Sequence, residues 1–76
     1  MNKARRKQIA DVISALEDLR EKVEEIHDEE EDAFEGLPES FEGTERYDAM
    51  EEAVDNLDDA LSSLEDAIDS LECAKE

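Results

Sequence analysis

From Met50 onward the chain repeats every seven residues. Met50, Leu57, Leu64 and Leu71 open successive blocks, and Val54, Leu61 and Ile68 follow the first three openings by four positions. Apolar residues in alternating steps of three and four lie on one stripe of a helix, the seam of a coiled coil. The first half carries the same alternation in Ile9, Val12, Leu16, Leu19, Val23 and Ile26. Ile13 widens that stripe early, and Ala33 with Phe34 resume it at the end. The pattern predicts a helix over about residues 2–35 and a second over about 44–74. A helix as long as the first spans ~50 Å at 1.5 Å per residue.

Between the two stripes lies Gly36-Leu37-Pro38. Glycine is a favoured helix stop, proline cannot continue the helical ladder, and the residue before proline is pushed out of the α region. Glu39-Ser40-Phe41-Glu42-Gly43 then reads as a short connection with room for one helical turn. Thr44 is the expected N-cap of the second helix, with Glu45 in its first turn. Leu37 and Phe41 are placed to plug the end of the core. A connection this short makes the helices antiparallel. The predicted architecture is all-α: a single helical-hairpin domain spanning residues 1–76.

The flanks of the second stripe differ. Ala53, Ala60, Ala67 and Ala74 lie on one side, with Asn56, Ser63 and Ser70 beyond them; acids fill the other side. Small residues permit close approach of another helix. The apolar arc, widened by Ile13 and Phe34, exceeds what one partner helix needs. A chain of this length also has a thin core. Both points predict self-association through Ile9, Val12, Leu16, Leu19, Val23 and Ile26 together with Val54, Leu57, Leu61, Leu64, Ile68 and Leu71. The expected product is a homodimer forming a four-helix bundle, with a higher oligomer as the alternative.

Charge changes the picture next. Charged residues make up 45% of the chain and the formal net charge is −18, so direct nucleic-acid binding is disfavoured and a basic protein partner favoured. In the first helix the charges oppose the helix dipole: Lys3, Arg5, Arg6 and Lys7 sit at the N-terminal end, and Asp28–Asp32 form an acidic run near the C-terminal end. An antiparallel hairpin offers the basic end countercharge from Glu65, Asp66, Asp69, Glu72 and Glu76. The lone cysteine, Cys73, cannot form an internal disulfide and fits a reducing cytoplasm. The basic start leads into an amphipathic helix rather than the apolar core of a signal peptide, and no run approaches the ~18 apolar residues of a membrane span.

Candidates for chemistry are weak. Glu24 and His27 have the Glu-x-x-His spacing of di-iron bundles, but those need two such motifs and two further glutamates facing inward. Glu24 faces outward, and the chain holds one histidine, which reads as a boundary residue. Glu30 fills a seam position with an acid, as a residue exposed where the helix leaves the bundle or as a register device. Glu21 with Glu24 and Glu52 with Asp55 have the spacing of magnesium-binding helices in all-α nucleotide pyrophosphatases, a pairing that 26 acids produce by chance. The acidic run lacks the alternation and central glycine of a calcium loop. Nothing resembles a nucleophile constellation or a phosphate loop. The reading is a non-enzymatic chain with no metal and no cofactor.

What remains is an acidic face on the second helix: Asp48, Glu51, Glu52, Asp55, Asp58, Asp59, Glu65, Asp66, Asp69 and Glu72. With the acids of the first helix it forms rows of negative charge on a narrow rod, similar in scale to the phosphate rows of a duplex. A basic groove built for nucleic acid is attracted to such a surface, although any acidic bundle carries such rows. A second candidate is the turn formed by Leu37, Pro38, Glu39, Ser40, Glu45 and Arg46. With the acidic run before it and the heptads after it, this turn resembles small acidic proteins of phages and prophages of Gram-positive gut bacteria. That resemblance implies a phage context and no established activity. The leading expectation is a protein-binding module in the host cytoplasm that mimics nucleic acid to modulate a host DNA- or RNA-binding protein. The alternatives are an assembly protein whose charge confers solubility, and a small-ligand binder at the turn with Arg46 as its anion contact.

Overall fold

Each helix starts at a side-chain cap. In the computed structural model, which describes residues 1–76, α1 runs Lys3–Glu35 and α2 runs Glu45–Lys75. The Asn2 side-chain oxygen accepts from the Arg5 backbone N–H at 2.8 Å. Thr44 Oγ1 accepts from the Tyr47 N–H at 3.2 Å and donates to the Phe41 carbonyl at 2.6 Å, so one hydroxyl both starts α2 and closes the turn. The Asn2 cap escaped the sequence reading, whereas Thr44 stands where it was expected. Glu39–Phe41 form one 3-10 turn. Gly43 adopts φ +80°, the only residue in the left-handed region. Gly36 ends α1 in a right-handed conformation, and a Cβ there would lie 3.2 Å from the Asp32 carbonyl oxygen.

The helices pack antiparallel into a rod of 59 × 15 × 13 Å. The fold is therefore the all-α hairpin that the heptads imply. Tyr47, Met50, Val54, Leu57, Leu61, Leu64 and Leu71 are half-buried along α2, and Ile68 is buried. At the closed end Phe34 packs against Tyr47, ring centroids 4.8 Å apart, beside half-buried Leu37 and Phe41.

On α1 the seam is not the expected one. Ile9, Leu16 and Val23 do face α2, half-buried, but the second row is Ile13, Arg20, His27 and Phe34. Val12, Leu19 and Ile26 stand beside this seam, 48%, 50% and 54% exposed. Both rows border Ile9, Leu16 and Val23, so the alternation of three and four is satisfied by either. The ends decide. Turning the other row inward would expose Ile13, the most buried residue at 3%, and would replace Phe34 by Ala33 at the closed end.

Candidate functional site

The choice of row gives the rod two unlike sides. Take Ile13, Arg20, His27 and Phe34 as a positions and Ile9, Leu16, Val23 and Glu30 as d positions of α1. Take Val54, Leu61 and Ile68 as a, and Leu57, Leu64 and Leu71 as d, of α2. In an antiparallel pair, e positions lie beside e positions and g beside g. The e side carries Glu17, Glu24 and Glu31 from α1 and Glu51, Asp58, Glu65 and Glu72 from α2. The g side carries Val12, Leu19, Ile26 and Ala33 from α1 and Ala53, Ala60, Ala67 and Ala74 from α2.

All ten candidate carboxylates of α2, Asp48 through Glu72, are exposed. Glu51, Asp58, Glu65 and Glu72 line the e side, and the others continue the charge around the outer surface of α2. Asp48, Glu51, Glu52 and Asp55 border one shallow depression containing no apolar residue. A second acidic surface lies on α1, where Glu17, Asp18, Glu21 and Glu24 surround Arg20. The fold thus brings acids of both helices to one side, leaving the g side of α2 without a charge from Ala49 to Ala74.

The e side also holds the one charge pair that joins the helices. His27 is 8% exposed, in the seam rather than at its boundary. Its Nδ1 faces Asp28 Oδ1 at 3.1 Å; its Nε2 faces Asp58 Oδ1 of α2 at 2.8 Å and Glu31 Oε2 at 3.5 Å. The Nε2 approach to Asp58 is a charge contact rather than an aligned hydrogen bond. The hydrogen bond to Asp28 raises the His27 pKa above 6.5; burial opposes this, and the charges of Asp58, Glu31 and Asp28 add to it. The three carboxylates thus favour the protonated form of the imidazole. Ligand atoms of His27, Asp28 and Glu31 lie within 4.8 Å of one another, close enough for a cation. Sequence reading missed the role because it treated His27 as peripheral. Its heptad equivalence to Ile13 and Phe34 was the available signal.

Other expected contacts are absent. The basic start of α1 makes no ion pair with Glu65, Asp66, Asp69, Glu72 or Glu76: Lys7 pairs within α1 with Asp11 at 3.5 Å, and Lys75 pairs within α2 with Glu72 at 3.3 Å. For Lys7 the acid one turn along the same helix takes the contact, and Lys3, Arg5 and Arg6 make no ion pair. Glu30 is half-buried and Glu24 exposed. In the turn, Pro38, Glu39, Ser40, Glu45 and Arg46 are exposed, Leu37 is half-buried, and the Arg46 guanidinium lies 5.8 Å from the centroid of Phe41. Cys73 is exposed and free. No helix is long and apolar enough to cross a membrane.

Among known proteins, a family model described as MbeD/MobD like matches residues 7–72. No curated protein and no solved structure matches the chain. The family match spans both helices as well as the turn, and it lends no support to the phage origin that the Leu37–Arg46 turn suggested. With nearly the whole hairpin inside the match, the chain belongs to the MbeD/MobD-like family.

Proposed function

We propose that this chain is a non-enzymatic accessory protein of plasmid mobilisation, the process to which MbeD and MobD are related, and that it works by holding a protein partner. The observation that carries the partner reading is the one-sided charge. The hairpin gathers carboxylates of two helices onto one side of a rod and leaves the opposite side of α2 without a charge. A partner that handles DNA presents a basic surface, and an acidic rod occupies such a surface with fast, electrostatically steered encounter. Asp58, Glu65 and Glu72, with the neighbouring Asp55, Asp59 and Asp69, form the centre of the proposed contact. An assembly role in which the charge serves only solubility is the second reading, favoured by the exposed Val12, Leu19 and Ile26.

The two readings separate by experiment. A plasmid carrying the gene is mobilised between cells with wild-type chain, with Asp55→Asn/Asp59→Asn/Asp69→Asn, or without the gene. Binding of the purified chain to the DNA-processing protein of the same plasmid is measured in parallel across a salt series. The partner reading expects mobilisation to fall with gene loss and with the neutral variant, and binding to weaken steeply with salt and in competition with duplex DNA. Full mobilisation by the neutral variant, with salt-insensitive binding, would leave the assembly reading.

A further inference from the structure

We propose that the g side of the hairpin docks a second copy of this chain, α1 antiparallel on α1, around a two-fold axis at Leu19. The proposal is independent of the mobilisation role.

Three observations carry it. The first is area. The hairpin exposes 5638 Å², against about 4,700 Å² for a folded monomer of this size. The excess is close to the ~800 Å² that one partner contributes to a standard interface. Only Ile13, Ile68 and His27 are more than nine-tenths buried, so the lone hairpin has almost no closed core.

The second is pattern. Val12, Leu19 and Ile26 recur every seven residues on the same side as the alanines of α2. The row is centred on Leu19, so a two-fold rotation there sets Val12 against Ile26 of the second copy and Leu19 against itself. Met1, Ile9, Val12 and Leu71, with Arg5 and Gln8 at its polar edge, shape a mainly apolar groove of about 310 Å³ at the open end of this side, the region where Ile26 of the second copy arrives. The alanine rows of the two α2 helices then meet, and their small side chains allow close approach.

The third is charge, and it fixes the direction. The g side of α2 is uncharged, so a chain of net charge −18 can meet its copy there without apposing acids. On α1 this side carries Arg5 toward one end, Lys22 near the centre and Glu29 toward the other end. With the axis at Leu19, Arg5 of each copy lies opposite Ala33 of the other, one turn or about 6 Å from Glu29 and within reach of a long side chain, twice by symmetry. The antiparallel α1 helices also lay the basic N-terminal end, which makes no ion pair with α2, along the acidic run near the C-terminal end. Docking α1 on α2 of the copy would leave Arg5 and Glu29 opposite alanine and serine. The reversed dipole polarity of α1 thereby acquires a purpose that α2, whose end charges agree with its dipole, does not need.

The test is cysteine cross-linking in a Cys73→Ser background, with mass in solution read by light scattering. Leu19→Cys is expected to form a disulfide-linked dimer on mild oxidation. Val12→Cys and Ile26→Cys are expected to link to each other when mixed and neither to itself. Leu19→Glu, which sets two carboxylates together at the axis, should weaken the dimer by roughly 30-fold or more. Arg5→Glu or Glu29→Arg alone should weaken it, and the two together should restore it. A monomeric wild type overturns the proposal, as does self-linking of Val12→Cys. So does a dimer in which Leu19→Cys stays unlinked, or a dimer that forms only with another mobilisation protein. Cross-linking reads the interface even if Leu19→Glu unfolds the hairpin.

Discussion

His27 shows how much one residue can depend on its neighbours. In the seam it is flanked by Asp28 and Glu31 on its own helix and Asp58 on the other, and its pKa is raised chiefly by the hydrogen bond to Asp28. Because the folded value lies above the unfolded one, protonated His27 contributes stability fully below about pH 6.5. That contribution is lost as pH rises through the raised folded value. Thermal melts should therefore show a fall in Tm from mildly acidic to mildly alkaline pH. His27→Leu should flatten the fall and leave the hairpin at least as stable near neutrality, since a well-packed apolar residue often equals a buried ion pair. A wild-type Tm that is level through that window would refute the ion-pair role. At the turn, Gly43 holds φ +80°, where a Cβ meets no atom but strains the backbone. Gly43→Ala should cost about 1 kcal/mol in chemical denaturation, and Thr44→Ala a similar amount by losing the cap of α2.

Each helix is a stripe that needs a partner, and the stripe on α1 is three rows wide. The inner rows meet α2 and the outer row does not. Substitutions in the two sets should therefore differ in kind. Ile13→Ala and Ile68→Ala, at the two most buried apolar positions, should each cost ~2–4 kcal/mol of unfolding free energy. Leu19→Ala should act mainly through concentration: unfolding should depend on protein concentration in the wild type and less so in the variant, as linkage to association requires. Equal losses at Ile13 and Leu19, with no concentration dependence, would show that both rows serve the hairpin alone.

The whole molecule is a rod of net charge −18 with a radius of gyration of 17.3 Å. Self-repulsion opposes any compact or associated state of such a chain. Moderate salt shortens the reach of that repulsion to about 8–10 Å. Tm should rise between low and physiological ionic strength, while contact between the acidic side and a basic partner should weaken over the same range. Opposite salt responses from one protein are the signature of a rod with an apolar side for its copy and an acidic side for a partner. A Tm that falls with added salt would mean that net attraction between charges, and not repulsion, governs the folded state.

By itself the sequence determined the elements. Heptad spacing, Gly36-Leu37-Pro38 and Thr44 suffice for two helices and an antiparallel turn, because helix periodicity and caps are local properties. Ten acids of α2 fall on one arc for the same reason. Only the tertiary structure decided which row of α1 faces inward, because Val12, Leu19 and Ile26 and the row of Ile13, Arg20, His27 and Phe34 fit the same spacing. That choice was made by the two ends of the rod, through Ile13 and the Phe34–Tyr47 contact, far apart in sequence from one another. From it follow the burial of His27 beside Asp58 and the exposure of an apolar row opposite an acidic side. Periodicity sets how a helix is striped; which edge of the stripe is buried is set by what the other helix brings to it.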